Sequence, residues 1–347
     1  MESVKLFLPL LFIISLVAGQ GLAHHYSLRR SFEAINKLFV FGDSYVDTGN
    51  VIDGDLVSKY PNGITWPGKP AGRYSDGYVL TDYFASFLGL KFPIPYVQLH
   101  DVVMHIDGVN FAFGGSGVFT TIFPVPKLTD QIDFFQGFID NSTLTPQYID
   151  SSIALVSVSG NDYMTYFVNH IFDWTRLVMG LKPFIRSMVN TIRDDLKRIH
   201  SLGVKKVVVT TLGPLECVPM TTMFLEYERC VTILNLVVDY HNSLLQEAVT
   251  KLNNETNTDD PSFSILDLHA AFSSIIQNKG YPKGNITFST PLEPCNKLVT
   301  EQGVMRYKLC EDPKSAFYWD FAHITHQGWL AAFSYLTDTL NKSHQIT

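Results

Sequence analysis

The chain has 347 residues, 46% hydrophobic and 17% charged, with 33 acidic against 26 basic side chains and a formal charge of -7. That is ample apolar material for one large core, and no stretch is polar enough to read as disordered. Its adjacent basic pairs, Arg29-Arg30, Lys197-Arg198 and Lys205-Lys206, are scattered, which excludes the basic stripe that a nucleic-acid partner would need.

Met1-Glu2-Ser3-Val4-Lys5 precedes a nearly continuous apolar run over 6–18, followed by the small residues Gly19, Gly21 and Ala23. This predicts a secretory signal peptide over 1–23, cleaved at about 19–23, and a mature chain of one domain over 24–347. The run is short for a membrane span, and no later segment reaches ~18 uninterrupted apolar residues. The mature protein is therefore expected outside the cell, with no stable membrane anchor.

Strands are expected over 37–41, about 109–113, 153–158, 204–210 and 263–266, all compact apolar runs of the kind buried on both faces. Helices are expected over about 78–88, capped by Asp76 and ended by Gly89, then over 173–200, about 226–252 and about 326–340. The alternation argues for an α/β fold with a parallel sheet between two helical layers. Two long connections, 47–75 and 278–315, read as binding loops or lids.

Four cysteines stand at Cys217, Cys230, Cys295 and Cys310. They allow three pairings, of which proximity favours Cys217 with Cys230 and Cys295 with Cys310. Each would close a loop of about 15 residues and contribute about 3 kcal/mol through chain entropy; the alternative is four buried thiols. No Cys-x-x-Cys spacing supports a metal. Asn141, Asn254, Asn285 and Asn341 head Asn-x-Ser/Thr sequons, glycosylation candidates in an exported chain.

Three expected strands end in small or polar clusters: Gly42-Asp43-Ser44, Gly114-Gly115-Ser116-Gly117 and Ser159-Gly160-Asn161-Asp162. In open parallel sheets ligands bind beyond the carboxyl ends of the strands, so the clusters should converge on one crevice. Near the C-terminus, Trp319-Asp320-Phe321-Ala322-His323 carries an Asp-x-x-His spacing. On one turn, the carboxylate can orient one imidazole nitrogen while the other faces outward. A serine hydroxyl needs such a base, being un-ionised at neutral pH.

Gly42-Asp43-Ser44 with Asp47-Thr48-Gly49-Asn50 resembles the first block of the GDSL, or SGNH, esterases and lipases. The fourth letter is Tyr45 rather than Leu, a variation expected to touch no catalytic atom. Residues 110–117, Gly160-Asn161-Asp162 and 319–323 are similar to the later blocks, in the family's order. Gly72-Arg73-Tyr74-Ser75-Asp76-Gly77 and Pro214-Leu215-Glu216-Cys217 resemble the plant secreted branch. The resemblance implies a flavodoxin-like three-layer α/β/α sandwich. It also implies Ser44 as nucleophile, His323 as base and then acid, and Asp320 as its orienting carboxylate. The implied oxyanion donors are the N–H of Ser44, the N–H of Gly115 and the side-chain amide of Asn161, with Gly114 and Gly117 as alternatives to Gly115.

Two departures stand out. Ile324 follows His323 where Pro is usual, which should leave that backbone less restrained, and Glu216 sits where Gly is common. Plainer roles compete with the sharp ones. Asn161 could cap a helix, and Asp320 with His323 could be a solvated helical pair. Asp43, Asp47 and Asp162 read as loop braces, and His100 and His241 as structural. His326 with His323 and Asp320 lacks a third strong ligand, so no metal or cofactor is implied. The expected activity is hydrolysis of a small-molecule or lipid ester. An acyltransferase using the same triad, or an idle binding or defence-associated protein on this scaffold, are the alternatives. No protein partner can be named from the residues.

Overall fold

Six parallel strands form the central sheet of this computed structural model, which describes residues 35–50, 56–99, 107–158, 160–256, 258, 260–281, 284–301 and 304–343. The expected signal segment and His100 lie outside the described residues. In chain order the main elements begin with β1 (Lys37–Gly42), α1 (Leu80–Leu88), β2 (Ile94–Pro95), β3 (Gly108–Asn110) and α2 (Leu128–Asp140). Next come β4 (Ser152–Ser157), α3 (Gly160–His170), α4 (Trp174–Met179), α5 (Leu181–Ser201) and β5 (Lys206–Thr210). The last are α6 (Asn235–Thr256), β6 (Phe263–Leu266), α7 (Leu268–Asn278), the antiparallel hairpin β7 (Asn296–Glu301) and β8 (Val304–Leu309), and α8 (His326–Ser343).

Strand side chains alternate between two cores. Phe39 and Phe41 of β1, with Ala154 and Val156 of β4, face α2, α5 and α6, whose Phe135, Ile192 and Leu245 close that layer. Leu38 and Val40, with Ile153 and Leu155, face α1, α7 and α8, through Phe84, Phe272 and Trp329. Each fully buried side chain of this size contributes about 1.5–3 kcal/mol relative to exposure. A strand with both faces covered must be apolar throughout, which is why these runs lack the polar alternation of a half-exposed strand.

The strand order β2-β3-β1-β4-β5-β6 turns about β1, which pairs with β3 on one side and β4 on the other. The short β2 apart, this is the flavodoxin-like arrangement, and the fold is a three-layer α/β/α sandwich. The crevice beyond the carboxyl end of β1 is the topological switch point. Gly42 closes β1 with φ at 138°, and a Cβ there would lie 1.8 Å from Ser157 O. Only glycine lets β1 and β4 run this close just before Ser44.

The helices differ in detail from expectation. Asp76 does not cap α1, whose N-cap is Val79; its Oδ1 instead accepts the N–H of His326, at the start of α8, at 2.7 Å. The single helix expected over 173–200 breaks at Gly180 into α4 and α5. The one expected from 226 starts at Asn235, because Glu226 and Tyr227 have positive φ beside the Cys217–Cys230 bridge. The second disulfide joins Cys295 to Cys310 and staples the base of the β7–β8 hairpin, which occupies much of the connection read as loop. Each bridge closes a loop worth about 3 kcal/mol in the chain-entropy account. Asn141, Asn254 and Asn285 are exposed, and Asn341 lies in α8. No helix among the described residues is long and apolar enough to cross a membrane.

Candidate active site

Ser44 follows β1 directly, and His323 sits just ahead of α8, 279 positions later; their side chains meet with Oγ 2.8 Å from Nε2. His323 Nδ1 lies 2.9 and 2.8 Å from the two oxygens of Asp320. The Asp320 carboxylate also accepts the N–H groups of Ala322 and His323, both at 2.9 Å, which curls the 320–323 turn around it. Burial works against its charge, but His323 and these hydrogen bonds outweigh that and hold the carboxyl below its ordinary value.

Ile324 does not loosen this turn. It is fully buried and bridges Tyr318, while Trp319 N–H donates to His323 O at 2.7 Å. Packing and backbone pairing supply the restraint that a proline would have given. Tyr45 supports the same turn without bonding the catalytic groups: its hydroxyl donates to Ala322 O at 2.9 Å, and its ring stands edge-on to His323 at 6.3 Å. Tyr74 covers another face of the imidazole, at 5.0 Å between centroids.

The second and third strand ends converge on Ser44. The Gly114 N–H is committed to Asp47 Oδ2 at 2.9 Å, and Gly117 does not line the cavity, so Gly115 is the available backbone donor in that run. The N–H groups of Ser44 and Gly115 have no acceptor among the described residues. Gly115 has φ at 86°, and a Cβ there would strike the Phe123 ring at 2.8 Å. Asn161 does not cap α3. Its Nδ2 donates to Ser116 O at 2.9 Å, which fixes the amide and leaves the second N–H uncommitted.

Three other carboxylates brace this frame. Asp43 accepts the Tyr45 N–H; Asp47 accepts those of Gly49, Asn50 and Gly114; Asp162 accepts those of Val118 and Phe119. Burial pushes Asp43 up to about 7 and Asp47 and Asp162 up to about 6. Behind β1, Gln131 holds both sides of the Gly42 peptide, accepting its N–H at 2.7 Å and donating to its carbonyl at 2.9 Å. Arg73 forms a buried two-pronged pair with Asp82 at 2.7 and 2.8 Å. Glu216 is buried 3.5 Å from His269 Nε2, outside the cavity wall. His241 is buried against the Tyr163 hydroxyl at 2.9 Å, and burial lowers it to about 4. His326 accepts the Tyr78 N–H on Nδ1 and packs against the Tyr78 ring at 5.1 Å.

A cavity of about 840 Å³ opens over Ser44, His323, Gly115 and Asn161. Its wall is largely apolar, with Phe123, Val125, Met164, Leu212 and Phe272 among the contributors. Sequence reasoning missed Gln131, Tyr74 and the hairpin's share of this wall. The Gly-Arg-Tyr-Ser-Asp-Gly run was the signal for Tyr74, whereas a lone Gln in a helix carries none.

A flavodoxin-like sheet with a serine, an imidazole and a carboxylate in line at its switch point defines a hydrolase. Residues 38–336 match the family model of the GDSL-like lipases/acylhydrolases. The GDSL esterase/lipase At5g03610 of Arabidopsis thaliana is 43% identical, over 94% of this chain and 92% of its own. Two others from the same plant, At3g09930 and At2g36325, are each 41% identical; the first aligns over 97% of this chain and 98% of its own, the second over 86% and 85%. The chain belongs to the GDSL lipase/acylhydrolase family. It is an ester-hydrolysing enzyme.

Proposed function

We propose that the protein is a secreted carboxylesterase or lipase that works through an acyl-enzyme on Ser44. His323 takes the Ser44 proton as Oγ attacks the ester carbonyl, and Asp320 orients the imidazole and stabilises the imidazolium. The new Oγ–carbon bond leaves a negative oxygen, held by the N–H of Ser44, the N–H of Gly115 and Nδ2 of Asn161. The tetrahedral centre collapses with cleavage of the bond to the alcohol oxygen, which leaves with the proton from His323. Water then attacks the acyl carbon with His323 as base, releasing the acid and restoring Ser44.

The observation that carries this reading is the line Ser44 Oγ, His323 Nε2, His323 Nδ1 and Asp320, each contact under 3 Å. The two N–H groups without acceptors and the fixed Asn161 amide support the oxyanion role. Secretion is supported by the apolar run over 6–18, the paired cysteines and the exposed Asn141, Asn254 and Asn285. The one-domain reading of 24–347 is supported by the family match over most of that span. The test is Ser44→Ala assayed on a short p-nitrophenyl ester. Turnover should fall by about 10⁴-fold or more with thermal unfolding unchanged; a folded variant that keeps its rate would overturn the assignment.

A further inference from the structure

The two walls of the cavity differ in chemistry, and the line through Ser44 and His323 decides which part of an ester each one meets. The leaving alcohol must take its proton from His323 Nε2, so the alcohol lies on the His323 side, while the carbonyl oxygen turns toward Gly115 and Asn161 and the acyl chain away from His323. Around those two residues the lining is apolar: Phe123 lies against Gly115, and Met164 follows Asn161 by one turn of α3.

The His323 side is organised around Trp319, which is fully buried and neighbours Asp320. Its Nε1 donates to Asn62 Oδ1 at 2.8 Å, its carbonyl accepts the Asn296 N–H at 2.6 Å, and its N–H donates to His323 O at 2.7 Å. Asn62 and Asn296 are thereby held beside the Asp320–His323 turn, and both line the cavity. Asn296 is only 7% exposed, and its Oδ1 is buried with no hydrogen-bond partner among the described residues. A buried acceptor without a donor is rare and costly, and marks a place where something else completes the hydrogen bond. Across the hairpin, the Tyr307 phenol also faces the cavity, while Lys297 is neutralised by Glu293. The Cys295–Cys310 bridge fixes the whole wall.

We propose that this wall is a subsite for a hydroxylated alcohol, so that the preferred substrate is an ester of a polyol or sugar with an apolar acid. The inference rests on the triad assignment above, because that assignment says which side holds the alcohol. An amide offers one acceptor and two donors, and a phenol one of each; hydroxyl groups satisfy both kinds, whereas a plain alkyl alcohol satisfies neither. A cationic alcohol would meet Lys59 at the same wall. A site built to bond a substrate hydroxyl discriminates strongly against the analogue that lacks it.

The test compares kcat/KM for glucose monooctanoate and ethyl octanoate, made from the same acid. The wild-type ratio should favour the sugar ester by about ten-fold or more, and Asn296→Leu should lower that ratio about ten-fold. Tyr307→Phe, at a half-exposed position with little effect on folding, should lower it about three-fold. A wild-type ratio near one, or a ratio that neither variant moves, overturns the subsite. Binding of octyl glucoside against octanol to the Ser44→Ala variant separates this from the catalytic reading. Tighter glucoside binding that Asn296→Leu abolishes supports the subsite even where hydrolysis fails, and equal binding of the two overturns it.

Discussion

The head of β1 and the turn before α8 both bury carboxylates beside the same imidazole, yet the two regions hold charge in opposite ways. At the first, Asp43 and Asp47 accept backbone N–H groups, and burial still pushes them up to about 7 and about 6. At the second, Asp320 is buried too, yet its carboxyl is held below the ordinary range. Backbone N–H donors are present in both places, one on Asp43, three on Asp47 and two on Asp320. What Asp320 has in addition is the Nδ1–H of His323, which both its oxygens accept. Backbone donors suffice to shape a loop, while a bonded imidazole able to carry charge is what keeps a buried carboxylate ionised. The first region is built to hold geometry and the second to hold charge.

The sharpest way to break that distinction is to neutralise each carboxylate in turn. Asp320→Asn should lower kcat by about 10⁴-fold, the scale seen when a triad carboxylate is neutralised in serine proteases, because the imidazole loses both its tautomer and its counter-charge. Asp43→Asn keeps an acceptor for the Tyr45 N–H and should cost no more than about ten-fold. Steady-state kinetics on one soluble ester decides this, and similar losses in the two variants would erase the contrast. Asn161→Ala comes next, with kcat about 10²–10³ lower and KM changed far less, since the amide would act on charge that develops only in the transition state. A loss seen mainly in KM would move Asn161 from the oxyanion to ground-state binding.

Stability against pH sharpens the same comparison with a smaller effect. A carboxyl whose folded value lies above its unfolded one binds extra protons in the folded state, so stability falls as pH rises through that interval. For Asp43 the interval runs from 3.8 to about 7. Asp47 and Asp162 act in the same direction up to about 6, while His241, lowered from 6.5 to about 4, opposes them below pH 6.5. Between pH 6 and 8 Asp43 is therefore the main contributor among these groups. Asp43→Asn should gain in Tm relative to the wild type over that range, by about 2 °C. A difference in Tm that stays flat from pH 6 to 8 would mean that Asp43 ionises without penalty.

Much of the frame was legible in the sequence because it is local. Apolar runs such as 37–41 and 153–158 are strands wherever a sheet is covered on both faces, and the clusters after them fall at the carboxyl ends by topology alone. The order of Ser44, Gly115, Asn161, Asp320 and His323 along the chain carried the resemblance. What was illegible depends on contacts between distant segments. Asp76 reads as a cap for the helix that follows it, but its carboxylate reaches the start of α8, 250 positions on. The hairpin over 296–309 reads as loop because it stands apart from the central sheet as a two-stranded unit, each strand pairing only with the other among the described residues. Gln131 grips Gly42 across 89 positions, and nothing in its neighbours marks it.

Tyr45 is the residue on which the two regions meet, and it carries the last and mildest prediction. Its backbone belongs to the head of β1, where Asp43 accepts its N–H at 3.0 Å, and its hydroxyl bonds Ala322 O within the turn that carries charge. The ring also packs edge-on against Trp329, at 5.4 Å, so most of its contribution to folding is apolar and survives loss of the hydroxyl. Tyr45→Phe removes one hydrogen bond worth about 1 kcal/mol. If the turn is held mainly by Asp320, Ile324 and the Trp319 pairing, kcat should fall only two- to five-fold, about what 1 kcal/mol allows, with KM unchanged. Tyr45→Leu restores the side chain usual in the family but leaves space beside Trp329, so its cost should appear in Tm before it appears in rate. A hundred-fold loss of kcat in Tyr45→Phe, with Tm intact, would instead make the hydroxyl a positioning group for His323, and the geometry of the first region would then be setting the charge of the second.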